Sequence, residues 1–165
     1  ASIVFGGGFF RRETIPARKG AQRAIFKVQM ELERIILEEK KAAVAICERG
    51  RLDGLAYWPG EEDEFWKDVQ SSKSNELDRY ESVIHMRTPD NVQGYNQNNP
   101  VRIESAQEAM VIDKKLLDVW KDHPKRHVIE SQDDFLGKAL ETLKVIQSYL
   151  PDCCRQRKIN LGKGS

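Results

Sequence analysis

The stretch from Lys41 to Gly60, KAAVAICERGRLDGLAYWPG, constrains the fold more than any other part of the chain. Ala42 to Cys47 form a short, wholly apolar run after a long charged one, the pattern of a strand buried on both faces in a parallel sheet. Glu48-Arg49-Gly50 follow at once, then Asp53 and the aromatic pair Tyr57-Trp58. A carboxylate at the carboxyl end of such a strand stands where open α/β sheets bind their ligands. Charges are costly at that edge unless they pair with each other, with a metal or with a phosphate. Two readings stay open: an ion pair that merely ends the strand, and a site for nucleotide phosphate and magnesium.

The rest of the chain alternates helices with short apolar strands. From Pro16 to about Lys41 a helix is expected, because Ala21, Ala24, Ile25, Val28, Leu32, Ile35 and Ile36 recur at three- and four-residue spacing. Glu61 to Tyr80 begins acidic, with Phe65 and Trp66 as anchors of a short helix that Ser71-Ser72-Lys73-Ser74 breaks. Ser82 to Thr88 gives a second strand, stopped by Pro89, and His85 inside it suits a core histidine better than a metal ligand. Residues 90–101, rich in Asn and Gln, read as a mobile loop. Arg102 opens a helix with Ala109, Ile112, Leu116, Val119 and Trp120 on one face, ending at His123-Pro124. Val128-Ile129 makes a third strand. Asp133 or Asp134 then caps a last helix that turns Leu136, Ala139, Leu140, Leu143, Ile146 and Leu150 inward and stops at Pro151. Helices alternating with buried strands imply an α/β fold with a parallel sheet.

Composition excludes several classes. With 165 residues, 39% hydrophobic and 32% charged, the chain can build one real core. No apolar run is long enough to span a membrane, and a formal net charge of +1 does not advertise nucleic acid. Three cysteines, two of them adjacent, make neither a disulfide framework nor a zinc spacing, so a cytoplasmic setting is the default. Gly6-Gly7-Gly8 have no Lys-Ser or Lys-Thr after them and read as a flexible turn rather than a phosphate loop.

Cys47-Glu48-Arg49-Gly50 with Asp53 and Ala56-Tyr57-Trp58 resembles the D-R-G-x-x-D-x-x-A-Y segment of a family of P-loop proteins. That family includes the ribosylnicotinamide kinase domain of bacterial NAD-biosynthesis regulators and an insect trafficking protein that binds GTP and phosphoinositide. The likeness continues through Tyr95, Asn98-Asn99, Arg102-Ile103-Glu104, Trp120, His123-Pro124, Ile129-Glu130, and Phe135 with Lys138. It implies a three-layer P-loop NTPase, a nucleoside-kinase-like AAA domain over residues 1–150, with a helical lid at about 90–123 and a tail at 151–165. Such proteins begin with a strand, a G-x-x-x-x-G-K-[ST] loop and a helix, and nothing here matches them. The resemblance therefore implies roughly forty residues, one strand–loop–helix–strand unit, ahead of Ala1, or else a degenerate member without a usual phosphate cradle.

Roles follow from the resemblance and the chemistry together. Glu48 would hold Mg²⁺ through water or polarise the acceptor hydroxyl, although the family usually has Asp there. Arg49 would touch the acceptor or its phosphate, and Asp53 would orient Arg49 or a sugar hydroxyl, or simply cap a helix. Arg102 would close over the phosphates, with Glu104 steering it; the alternative is a solvated charge pair. Tyr57 joins Asp53 and Glu104 on the substrate side, while Ser131, Asp133 and Phe135 would border the nucleotide base. Two functions stay open: an ATP- or GTP-dependent kinase acting on a small nucleoside-like acceptor, and a nucleotide-dependent binding or trafficking module read by a partner or a lipid head group.

Overall fold

The structure, a computed structural model, describes residues 13–88, 106–130 and 135–155. Helix α1 (Ile15–Glu39) runs 25 residues. Thr14 precedes it in extended conformation, with proline in the first turn, where a missing amide costs nothing. It ends on Lys40, whose left-handed backbone (φ 50°) lets its N–H reach the Ile36 carbonyl at 3.3 Å. The inward face follows the predicted stripe only in its first half, where Ala21 is buried and Ala24, Ile25 and Val28 are half-buried. Ala21, Phe26 and Glu33 are buried, whereas Leu32, Ile35 and Ile36 are exposed. The face is chosen by what lies against it, here α2 (Asp53–Tyr57) and α3 (Glu62–Val69), and no described element covers the other apolar side.

Ala42 to Cys47 correct the strongest expectation. They form no strand, and Val44 and Ile46 stand 39% and 72% exposed. An apolar run becomes a strand only when a neighbouring ladder pairs its amides and a layer covers each face. Among the described residues neither is present beside this segment.

Two aromatic-centred clusters make the core. In one, Leu52 and Ala56 pack against Leu116, Val119 and Trp120 of α5 (Ala106–Val119) and the residue beyond it. In the other, Phe65 and Val69 meet Phe26 and Trp58. The Phe65 ring stands edge-on to Trp58 at 5.3 Å and to Trp66 at 4.9 Å, so both predicted anchors engage, Phe65 fully buried and Trp66 at its margin. Helix α3 opens with Glu62, Asp63 and Glu64, which suits the positive end of its dipole. Ser72 does not merely break the chain; its hydroxyl accepts from the Asn75 amide and starts α4 (Lys73–Leu77).

Strands β1 (Val83–Met86) and β2 (Arg126–Ile129) pair in parallel, with Val83 opposite Arg126 and Met86 opposite Ile129. Helix α5 makes the crossover, so this half of the chain is a βαβ unit, as the alternation of patterns predicted. Helix α6 (Phe135–Tyr149) lies against β2, and α7 (Asp152–Arg155) follows Pro151. Leu136 and Leu140 are exposed, not inward as expected, while Ala139, Leu143 and Ile146 are half-buried. The described sheet has these two strands, so an α/β parallel fold is present and a third strand at Ala42–Cys47 is not.

Candidate functional site

The Glu48-Arg49 turn is held from below by one aromatic side chain. Trp120, at the end of α5, is buried, and its indole Nε1 donates to Asp53 Oδ1 at 2.7 Å. The other carboxylate oxygen of Asp53 accepts from Arg49 Nη1 at 3.4 Å. Burial pushes the Asp53 carboxyl up; the Arg49 charge, the Trp120 and Arg49 hydrogen bonds and the His85 charge oppose it without cancelling it. For Arg49, desolvation works against the charge, but Tyr57, Asp53 and Glu48 outweigh it and raise its pKa. Arg49 still exposes 47% of its side chain, and Glu48 is exposed. The turn therefore presents an oriented guanidinium and a free-standing carboxylate to solvent. Tyr57 lies one helical turn beyond Asp53, half-buried.

Gly50 makes this arrangement sterically feasible. A Cβ there would lie 2.3 Å from Trp120 Cζ2 and 2.7 Å from Cη2. The indole has little freedom to retreat, being bonded to Asp53 and packed edge-on against Tyr80 at 5.4 Å. Gly50→Ala is expected to cost about 1–3 kcal/mol by overpacking and to loosen Arg49 through Asp53. Urea unfolding with tryptophan fluorescence measures it; an unchanged midpoint and spectrum would show that the turn moves freely away from the ring.

Beneath the turn lies a polar network the sequence reading missed. Arg51 is 5% exposed at its side chain, with Nε 3.3 Å from Glu33 Oε2 and 3.1 Å from Glu76 Oε2. Glu33 also accepts from Arg79 Nε, from Tyr80 Oη at 2.8 Å and from Gln29 Nε2 at 3.0 Å. Ser71 Oγ donates to Glu76 at 2.6 Å, and the Arg51 amide donates to Tyr80 Oη at 2.9 Å. The signal was present in part: a glutamate among the apolar residues of α1 whose partner lies far along the chain. Cys47 is half-buried beside this network, and burial followed by the Glu33 charge pushes its thiol up, against reactivity at neutral pH.

A second cluster sits where β1 ends. Asp113 of α5 is buried and accepts three bonds, from Arg87 Nε at 2.7 Å, from the Thr88 amide at 3.1 Å and at 3.0 Å with His85 Nε2. His85 is thus a buried histidine on a carboxylate, in keeping with a core role. Burial raises the Glu33 and Asp113 carboxyls, but the bonds they accept win, and both end lowered. The sign follows: a carboxylate with a lowered folded pKa stabilises the fold above its unfolded value, and that contribution disappears as pH falls through the folded one. Asp53, raised, acts oppositely, its contribution being present at low pH and lost as pH rises through its folded value. With Glu33 and Asp113 lowered, and the exposed Glu81 and Asp122 lowered as well, against the one raised carboxyl, Tm should hold from neutral pH to about the ordinary glutamate value of 4.5 and fall below it. Thermal melts across that range check this, and a Tm that stays level or rises on acidification would contradict it.

Of the residues singled out by sequence, the structure brings Glu48, Arg49 and Asp53 together at one turn. Arg102, Glu104, Ser131, Asp133 and the side chain of Phe135 lie outside the described residues, as does the loop at 90–101. An open groove of about 390 Å³ between α2, α4 and α5, lined by Leu55, Trp58, Lys73 and Lys114 among others, does not include the turn. Among the described residues no group of three His, Cys, Asp or Glu side chains could hold a metal. Glu48 alone suits an ion that keeps most of its waters, as magnesium does. The 165 residues contain no G-x-x-x-x-G-K-[ST] segment.

A protein-family model described as an AAA domain matches residues 2–135. No curated protein and no solved structure matches the chain.

Proposed function

The chain belongs to the AAA domain family, whose P-loop α/β fold binds nucleotide, and on that premise we propose that it serves a kinase-like phosphoryl transfer to a small, nucleoside-like hydroxyl acceptor. One observation carries the reading: Arg49 is fixed by Asp53, itself fixed by Trp120, while its guanidinium stays open beside the exposed carboxylate of Glu48. In phosphoryl transfer the protein contributes mainly position and electrostatic stabilisation, and an oriented arginine supplies both. Glu48 would accept the proton of the acceptor hydroxyl or hold a water of hydrated magnesium. Arg49 would hold the acceptor, and its fork suits a phosphate or a vicinal pair of oxygens. The nucleotide, when bound, supplies the phosphoryl group, and magnesium neutralises its charge. Asp53 acts through Arg49, because both its oxygens are already engaged.

A second reading, a nucleotide-dependent binding module without turnover, draws on Val44 and Ile46, apolar and exposed just before the turn, where a partner could read its state. Nucleotide hydrolysis or transfer by the protein, measured with and without nucleoside acceptors, separates the two. Acceptor-stimulated turnover supports the kinase reading. Tight nucleotide binding with no turnover on any acceptor supports the module and removes the kinase.

A further inference from the structure

The carboxyl edge of a parallel strand pair is where open α/β sheets receive ligands. At this edge β1 runs out at Arg87, whose amide still donates to the Ile129 carbonyl at 2.9 Å. The Arg87 carbonyl lies past the ladder, and Lys138 Nζ, reaching over from α6, donates to it. Lys138 is half-buried, and desolvation holds its pKa below the usual lysine value. That one carbonyl uses one of three ammonium donors and brings no formal negative charge. Among the described residues no carboxylate stands within ion-pairing distance of Lys138. The anion that acts on it, Asp113, is already engaged by His85, Arg87 and the Thr88 amide. Glu130, at the end of β2, is 72% exposed and stands 3.6 Å from Arg87.

A partly desolvated ammonium with no counter-ion among the described residues is unfavourable by itself and becomes favourable when an anion completes the site. We propose that Lys138, anchored on the Arg87 carbonyl at the carboxyl edge of β1, forms a subsite for a phosphoryl group. The inference rests on the phosphoryl-transfer reading for the identity of the anion, and on the geometry alone for its being an anion. Asp113 acts here as a positioning residue, because it fixes the backbone and guanidinium of the segment that Lys138 grips.

Inorganic pyrophosphate is the probe, titrated into the 165-residue chain at constant ionic strength while the lysine Nζ resonances are followed by NMR at mildly acidic pH. The Lys138 signal should shift saturably at millimolar pyrophosphate, and that of Lys67, exposed on α3, should not. Lys138→Gln should weaken pyrophosphate binding about tenfold, the size expected for losing one charge-assisted bond, and Lys138→Arg should keep most of it. Circular dichroism confirms that each variant is folded, and the wild-type resonance reports even if Lys138→Gln is not. An unmoved Lys138 signal, or equal affinity in Lys138→Gln, overturns the subsite. Loss of the subsite with acceptor-dependent turnover intact counts against this inference alone; a responding Lys138 with no turnover counts against the kinase reading alone.

Discussion

Arg51→Met should lower the stability of the fold by about 3–5 kcal/mol, the usual cost of removing one partner from a buried ion cluster. The guanidinium lies between Glu33 and Glu76, both almost fully buried, and over the Phe26 ring at 5.4 Å. Without it two carboxylates remain in a poorly solvated space; Arg79 still serves Glu33, but among the described residues Glu76 Oε2 has no hydrogen-bond donor even with Arg51 present. Letting water into the space limits the loss. Adding Glu76→Gln to Arg51→Met should recover part of the stability, since the stranded charge is then gone. Urea unfolding of the single and double variants measures both terms. A single variant within about 1 kcal/mol of wild type would mean that the cluster is wet and contributes only as a surface pair does.

Two positions earlier the same residue type should behave in the opposite way. Arg49→Ala is expected to reduce kcat/KM on the acceptor by about 10²-fold, about 2.7 kcal/mol of transition-state stabilisation. Its stability should change little, because Arg49 is 47% exposed and its contact with Asp53 is 3.4 Å long. Arg49→Lys should also be impaired, since a lysine keeps the charge and loses the fork. Asp53→Asn keeps the Trp120 bond and weakens the hold on Arg49, so it should raise KM more than it lowers kcat. Collapse of Tm in Arg49→Ala, with activity per folded molecule retained, would show that the Arg49–Asp53 pair only ends a turn.

The contrast between Arg49 and Arg51 shows where sequence reasoning runs out. Both lie in one short polar stretch; the solvated position expected for Arg49 is the one observed, whereas periodicity there is too brief to show that Arg51 is buried. Glu33 and Glu76, which bury Arg51, are distant in sequence from it and from each other. Trp120 was legible as a core residue on the apolar face of its helix; that its indole also aims at Asp53 and forbids a side chain at Gly50 was not. For Arg102, Glu104, Ser131, Asp133 and Phe135 the sequence expectations stand as expectations, outside the described residues.

By itself the sequence determined the features set by neighbours a few residues apart: the long α1 with its proline start, the crossover helix α5, the break at Ser71-Ser72 and the stop at Pro151. Backbone hydrogen bonding in a helix is internal to the segment, and turn and cap chemistry is local, so composition and spacing suffice. Tertiary structure alone decided whether Ala42–Cys47 is a strand, which face of α1 is buried and that Arg51 is enclosed. A strand's hydrogen bonds are made by another segment, and burial is granted by whatever packs against a face. Six apolar residues in a row state only a capacity for a strand, and Val44 and Ile46 stand exposed because no described neighbour takes it up.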